Sequence, residues 1–210
     1  MAIGSRMRQE DAFSLETGGN HQVLWYRTDA GRTRAIAEFM RSGIKNGDLL
    51  VIVLPLRELQ STEKDLVKVK VPVQRLMREG RLLLFASEEL LPGNESDCSK
   101  MKSAIAAVHE KAKAEGRNLC LIGRVAPVLF ERGDIKGALA VEFAADSSLG
   151  QARLLCLYDA RQRGKLSAES SDKIDELHTI SYDETPSGGV RIKNKRQKRP
   201  ANIRRKSSGG

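Results

Sequence analysis

Continuous apolar runs alternate with amphipathic stretches along this chain. The runs occupy residues 23–26, 49–54, 81–86, 119–125 and 154–158. Runs without polar alternation suit parallel strands that helices bury on both faces. In the stretches between them, apolar residues recur at the three-to-four-residue spacing of an amphipathic helix. This alternation predicts an α/β fold with a three-layer, mainly parallel sheet flanked by helices, and it leaves the strand order open.

The first strand and helix carry the clearest signals. The apolar run 23–26 leads to Thr28 and Asp29, and either side chain can cap a helix by accepting a hydrogen bond from a first-turn amide. Gly47 then supplies the left-handed residue that ends a helix. The apolar stripe between these caps consists of Ile36, Phe39, Met40 and Ile44.

The segment between the second and third apolar runs is harder to interpret. Residues 66–71 contain alternating valines and predict a short strand, while residues 73–77 predict a short helix that Gly80 ends. Residues 90–97 contain Pro-Gly-Asn and predict a loop. Asp97 is placed to cap a long helix that ends at residue 116.

Two further helices are predicted in the second half of the chain. Asp134 caps the first, whose apolar side consists of Ile135, Ala138, Leu139 and Phe143. Ser167 or Ser170 starts the second, which continues to His178. Residues 180–182 are expected to add an edge strand.

Composition supports a buried core and excludes a membrane protein. Hydrophobic residues make up 40% of the 210 positions, and no run approaches the length of about 20 apolar residues that a membrane span needs. No signal-peptide pattern is present. The three cysteines are too scattered for a disulfide framework or a CxxC metal site, so a reducing cytoplasm is expected.

The net charge of +9 is concentrated near the carboxyl end. Residues 184–210 contain nine of the 36 basic residues and one of the 27 acidic residues, which leaves a net charge of +1 for the rest. Residues 1–19 are polar and lack any sustained period. We therefore expect a disordered leader over 1–19, a folded domain over 20–183 and a disordered basic tail over 184–210.

The basic tail has two interpretations. Charges spread along an extended segment favour sequence-independent binding to nucleic acid through counterion release. The candidate residues are Lys193, Lys195, Arg196, Lys198, Arg199, Arg204, Arg205 and Lys206. The other interpretation is a tail that only increases solubility, without a partner.

A ligand crevice is expected at the carboxyl ends of the strands, as in other open α/β sheets. The candidate residues are Tyr26, Arg27, Thr28, Arg124, Glu142, Tyr158 and Asp159. Glu142 lies on the apolar side of its predicted helix, where an unpaired carboxylate is costly. Arg124 is its expected partner, either as a structural ion pair or as the border of a ligand pocket.

Two histidines are weak candidates for a metal site. His21 opens the first strand and His178 closes the last predicted helix, so both are expected at the amino-end edge of the sheet, opposite the crevice. No third metal ligand is evident from the sequence, and packing or capping roles are favoured over metal binding. No nucleophile–base motif and no HExxH motif are present, so no enzymatic activity and no cofactor are expected.

A nucleotide site is not supported by the turn after the first strand. A P-loop needs G-x-x-x-x-G-K-[ST], and the residue at the position of its first glycine is Tyr26. A weaker alternative remains, because Arg27, Arg32 and Thr33 lie at a helix N-terminus, which can bind an anion through its unpaired amides. The competing interpretation is a solvated polar turn.

Five short motifs in order resemble one family. They are HQVLWY from His21, GIKNG from Gly43, EGRL from Glu79, LCLYD from Leu155 and the final helix ending in His178. Together they resemble the MEDS family, the sensory domain of methanogens, methylotrophs and the dichloromethane-operon regulator. The resemblance spans roughly residues 21–183. Gly123-Arg124 departs from the family pattern, in which an acid follows the glycine.

The resemblance implies a RecA/KaiC-like fold without an intact P-loop, used as a non-catalytic sensor of a small, hydrocarbon-derived ligand. Its output is then expected to pass through a partner protein or nucleic acid, since no output module is recognisable after residue 183. Two alternatives stay open. One is a degenerate RecA-like nucleotide-binding protein, and the other is a nucleic-acid-associated protein that acts through its basic tail.

Overall fold

A seven-stranded sheet forms the middle of the molecule. The computed structural model describes residue 15, residues 20–91 and residues 98–195, with side chains as far as residue 193. The strand order is β3-β2-β4-β5-β1-β6-β7, and every neighbouring pair is parallel except β6 and β7. The strands are β1 (His21–Tyr26), β2 (Leu49–Leu54), β3 (Leu82–Ala86), β4 (Leu119–Gly123), β5 (Arg153–Asp159), β6 (Ile180–Glu184) and β7 (Val190–Lys195).

Helices cover both faces of this sheet. They are α1 (Asp29–Asn46), α2 (Leu56–Lys68), α3 (Val73–Arg78), α4 (Ser87–Leu90), α5 (Ser99–Ala114), α6 (Val125–Glu131), α7 (Ile135–Ser148), α8 (Ala160–Arg163) and α9 (Ala168–Leu177). One apolar cluster packs α1, α2 and α3 against the sheet, and a second packs α5, α6, α7 and α9 against the opposite face. The predicted three-layer α/β fold is confirmed.

The caps of α1 follow the sequence prediction. The Thr28 side chain accepts a hydrogen bond from the Gly31 amide, and Gly47 ends the helix at φ 77°. Asp134 likewise caps α7 by accepting from the Gly137 amide at 2.8 Å. The Asp97 cap lies outside the described residues.

Several element predictions are wrong. Residues 66–71 do not form a strand, because α2 runs through Lys68 with Thr62 and Leu66 on its buried side. The fourth strand ends at Gly123 rather than at residue 125, and α6 follows directly. Within the predicted loop 90–97, Leu90 ends α4, and residues 92–97 are not described. Phe143 was expected on the apolar side of α7, yet it is 67% exposed.

The boundary of the basic tail at residue 184 is also wrong. Glu184 ends β6, residues 185–189 form a tight turn, and β7 returns antiparallel to β6, so β6 is not the edge strand. Backbone pairing with β6 overrides the polar composition of β7. Residues 196–210 lie outside the described residues, as does the expected leader except for Leu15, which is buried.

Among the described helices, the structure contains none that is both long and apolar enough to cross a membrane.

Candidate functional site

Four buried side chains meet between β1, β5, α7 and the residue after α9. His21 Nε2 lies 3.2 Å from Glu142 Oε2 and 3.5 Å from Cys156 Sγ. Cys156 Sγ lies 3.4 Å from the same Glu142 oxygen, and His178 Nε2 lies 3.5 Å from it. The Tyr158 hydroxyl donates to the other oxygen, Oε1, at 2.6 Å. We call His21, Glu142, Cys156 and His178 the His–Glu–Cys cluster.

Strand pairing assembles this cluster. The parallel register of β1 and β5 sets Val23 opposite Cys156, so His21 and Cys156 lie on the same face of neighbouring strands. The rings of His21 and His178 are 4.1 Å apart at the start of β1, so both histidines lie at the predicted amino-end edge of the sheet. The structure places two further donor groups beside them, the Glu142 carboxylate and the Cys156 thiol, which the sequence did not reveal as their neighbours. The sequence signal that was available is the L-C-x-Y-D alternation, which puts Cys156 and Tyr158 on one face.

The pKa values favour the charged forms of Glu142 and His21 and the neutral thiol of Cys156. Burial raises the pKa of the Glu142 carboxyl, but the nearby His178 and His21 outweigh burial and hold that pKa well below its usual value. Burial lowers the pKa of His21, but hydrogen bonds and charges from Asp146 and Glu142 raise it to about 9 overall. Burial and the Glu142 charge raise the Cys156 pKa well above its usual value.

An apolar cavity of about 60 Å³ adjoins the cluster. Glu142 and Cys156 line one side of this cavity, where they contribute a carboxylate and a thiol. The remaining walls come from α4, α5, α6, α7 and the central strands: Val53, Leu90, Met101, Ile105, Leu121, Ile122, Gly123, Val125, Ala126, Pro127, Val141, Ala145 and Leu154. The pocket therefore lies on the α7 side of the sheet, near the carboxyl end of β4.

The predicted Arg124–Glu142 pair is wrong. The buried Arg124 guanidinium donates to Glu58 Oε1 at 2.5 Å and Oε2 at 2.6 Å, and it also pairs with Glu131. Arg32 Nη1 donates to Glu58 Oε2 at 2.7 Å as well. The sequence could not show this, because Glu58 was not recognised as part of a helix that faces the end of β4. Arg124 therefore belongs to an arginine–glutamate network at the carboxyl ends of the strands.

Tyr26 lies beside the same network. The guanidinium carbons of Arg32 and Arg124 are each 5.6 Å from the centre of its ring. Burial raises the pKa of the Tyr26 hydroxyl, and Arg124 and Arg32 oppose that rise. Asp159 is the strand partner of Tyr26, but its carboxylate accepts hydrogen bonds from the Arg161 backbone and guanidinium rather than from Arg32 or Arg124.

The turn between β1 and α1 holds an internal carboxylate. Glu184, which is 2% exposed, accepts from the Arg27 amide at 2.5 Å, the Thr28 amide at 3.0 Å and the Thr28 hydroxyl at 2.8 Å. Gly31 makes this approach feasible, since a Cβ there would lie 2.1 Å from a Glu184 oxygen. The sequence placed Glu184 in the disordered tail. Residues 27–30 of the turn are exposed, as expected for a solvated polar turn, but the amides of Arg27 and Thr28 are already occupied by the Glu184 side chain.

Lys193, a candidate for nucleic-acid binding, has a 38% exposed side chain that pairs with a buried carboxylate. Its Nζ donates to Asp175 Oδ2 at 2.6 Å, and Asp175 also accepts from Trp25 Nε1 at 3.1 Å and from Ser181 at 2.6 Å. Arg163 stacks over the Trp25 ring and pairs with the same carboxylate. The remaining tail candidates have no described side chains.

Comparison with known proteins gives one family and two similar structures. The family model for MEDS, the methanogen/methylotroph, DcmR sensory domain, matches residues 20–179. A comparison with curated protein sequences finds no match. An uncharacterized protein from Pyrococcus horikoshii, crystallised in complex with an unknown peptide, is similar with a TM-score of 0.58 and 12% identity, over 83% of this chain and 82% of that chain.

A KaiC-like protein from the same hyperthermophilic archaeon is similar with a TM-score of 0.53 and 16% identity, over 85% of this chain and 81% of that chain. At such low sequence identities, these similarities show only that the fold is shared. The predicted RecA/KaiC-like fold is confirmed.

Proposed function

Because the chain belongs to the MEDS family of sensory domains, we propose that it binds a small, largely apolar molecule in the cavity beside Glu142. The observation that carries this proposal is the combination of an apolar wall with one buried carboxylate and one thiol. Ligand pockets commonly pair apolar walls with a few polar groups that fix orientation. The expected ligand is a hydrocarbon derivative with a single polar substituent.

The size of the cavity limits the ligand to a few heavy atoms. A cavity of about 60 Å³ has room for more than one water, which needs about 10–15 Å³. It is well below the roughly 150 Å³ of an engineered cavity that takes up benzene. Molecules with one to three carbon atoms therefore fit best.

The same proposal makes the domain non-catalytic and independent of nucleotides. Glu184 already accepts hydrogen bonds from the amides of Arg27 and Thr28, at the place where a phosphate would bind in a P-loop protein. An added phosphate there would meet a buried carboxylate of the same sign. This arrangement supports the sensor over the degenerate nucleotide-binding protein.

Helix α7 is the proposed route from ligand to output. Glu142 on this helix lines the cavity, and the next residue, Phe143, is 67% exposed. A ligand that shifts Glu142 therefore also shifts a surface residue that a partner can contact. The partner is proposed to be a protein or nucleic acid, and ligand binding should slow amide hydrogen exchange in α7.

The test is a stability screen with a matched pair of glycine variants. We expect at least one of a panel of one- to three-carbon alcohols, thiols and halides to raise the melting temperature, since a ligand at 100 times its dissociation constant stabilises by about 2.7 kcal/mol. Gly123→Ala places a methyl group in the cavity wall, where its Cβ would lie 3.9 Å from Leu154 Cδ1. It should weaken binding of the larger members of the panel.

Gly164→Ala is the control, because a Cβ there would meet no atom within 4 Å and the residue lies outside the cavity. Mg-ATP completes the panel and should leave the melting temperature unchanged. Stabilisation by Mg-ATP alone would favour the nucleotide-binding alternative. Equal ligand binding by the Gly123→Ala and Gly164→Ala proteins would place the ligand elsewhere.

A further inference from the structure

The ring nitrogens of both cluster histidines have assigned roles. His178 Nδ1 lies 2.6 Å from the Ile174 carbonyl oxygen. A carbonyl only accepts, so Nδ1 carries the proton and donates. In neutral His178 the Nε2 atom then carries a lone pair that faces Glu142. This atom has no hydrogen-bond partner among residues 20–91 and 98–195.

His21 has the same arrangement with a carboxylate in place of the carbonyl. Its Nδ1 lies 3.2 Å from Asp146 Oδ1, and its Nε2 points to Glu142 and Cys156. Histidines that bind metals usually donate their other ring N–H to a carboxylate or a backbone carbonyl, which fixes the tautomer and the ring orientation. Both histidines of the cluster satisfy this condition.

The distances in the cluster match a tetrahedral site. Bonds of about 2.0 to 2.3 Å around a tetrahedral zinc ion separate neighbouring donor atoms by about 3.3 to 3.7 Å. Four distances between donor atoms of the cluster run from 3.2 to 3.5 Å, and single donor atoms from all four residues lie within 4.8 Å of one another. The donor atoms thus need only a small adjustment to surround one ion.

We propose that His21 Nε2, His178 Nε2, Cys156 Sγ and Glu142 Oε2 bind one divalent transition metal ion, Zn²⁺ by the chemistry of the donors. Two imidazoles, a thiolate and a carboxylate in tetrahedral geometry are typical zinc ligands. A Zn²⁺ ion with one thiolate and one carboxylate has no net charge, which suits a site whose residues are at most 5% exposed. The Cys156 thiol proton and the proton on His21 Nε2 are both released to solvent when the ion binds, because only a thiolate and a neutral imidazole nitrogen bind a metal.

The proposed ion connects parts of the chain that are far apart in sequence. It joins β1, α7, β5 and the end of α9, and it forms part of the wall of the apolar cavity through Glu142 and Cys156. Since the site is buried, the ion is expected to bind as the chain folds. The proposal depends on the cluster geometry and holds whichever ligand the cavity accepts.

The test uses full-length protein that is unfolded in chelator and refolded with Zn²⁺ or Co²⁺ alone. We expect one ion per chain by elemental analysis, a higher melting temperature, and the strong visible bands and sulfur-to-metal charge-transfer absorption of a tetrahedral cobalt–thiolate site. Cys156→Ser should abolish the charge-transfer absorption. Cys120→Ser is the matched control, because this buried thiol contacts the Phe39 carbonyl and lies outside the cluster.

A variant at an exposed residue tests the metal site in a protein that is expected to remain folded. Asp146 is 52% exposed and contacts the site only through His21, so Asp146→Asn should fold and bind zinc about 10–100-fold more weakly. His109→Gln, on α5 and outside the cluster, should leave affinity unchanged. Folded protein that takes up no Zn²⁺ or Co²⁺ would overturn the proposal. Metal binding that is unaffected by both Cys156→Ser and Asp146→Asn would also overturn it.

Discussion

At the scale of single residues, Glu142 is a buried carboxylate whose stability depends on the donors around it. Tyr158 supplies the shortest of these contacts, a hydrogen bond of 2.6 Å. In metal-free protein, Tyr158→Phe should lower the free energy of unfolding by about 1.5–3 kcal/mol, the range for a hydrogen bond to a charged group. Urea unfolding monitored by circular dichroism measures this loss.

Glu142→Gln provides the control background for that measurement. With a neutral amide at position 142, Tyr158→Phe should cost less, and the double-mutant cycle should give a coupling above about 0.5 kcal/mol. Equal losses in the two backgrounds would mean that the hydroxyl and the carboxylate do not stabilise each other.

Glu142 also shows how far single-residue prediction reaches. Its position on the apolar side of a helix predicted its burial correctly, because helical periodicity is a local property. Its partners depend on which strands are neighbours. Arg124 follows β4 and pairs with Glu58 and Glu131, whereas His21 and Cys156 come from the adjacent strands β1 and β5. The sequence does not contain that adjacency in any local pattern.

At the scale of elements, strands and helices with caps at both ends were predictable. The helix α1 has the expected Thr28 and Gly47 caps, and β2 matches its predicted run of residues 49–54. The helix α2 was not predicted, because the valines of 67–71 resemble a strand while its buried face, Thr62 and Leu66, carries a polar residue. Short helices such as α6 have too few residues to show a period.

Asp175 joins four elements to α9 and gives a pH-dependent prediction. Burial raises the pKa of its carboxyl, but hydrogen bonds from Lys193, Ser181 and Trp25 outweigh burial and hold that pKa below 3.8. A carboxyl with a lowered folded-state pKa stabilises the fold above its unfolded-state pKa. That stabilisation should be lost as the pH falls through the lower, folded-state pKa.

Asp175→Asn should remove this acid-dependent contribution and lower stability at neutral pH. The fluorescence of the single tryptophan, Trp25, reports the unfolding, because its ring nitrogen donates to Asp175. Asp172→Asn, on an exposed position of the same helix, is the control. A slope of stability against pH below about pH 4 that is unchanged in Asp175→Asn would contradict the assignment.

At the scale of the whole molecule, the candidate site depends on sheet topology. The order β4-β5-β1-β6 brings the first strand of the chain next to the fifth, and so His21 next to Cys156. The alternation of strands and helices allowed several orders that keep right-handed crossovers. The fold class was therefore predictable from the sequence. The set of four metal-binding donors was not, although His21 and His178 had been named as metal candidates and Glu142 as a ligand-site candidate.

The last prediction concerns the basic residues beyond β7. Arg191 and Lys193 already pair with Asp183 and Asp175, so DNA binding through the tail would depend on the six basic residues of 196–210. We expect full-length protein to bind duplex DNA with a slope of log affinity against log salt no steeper than about −5.4, from six phosphate contacts at about 0.9 each. A chain ending at Lys195 keeps β7 and should lose this binding. A full-length variant with glutamine at the six positions should lose it too, which separates charge from length. Equal affinity of the full and shortened chains, measured by fluorescence anisotropy, would mean that the tail only increases solubility and that DNA contacts the folded surface.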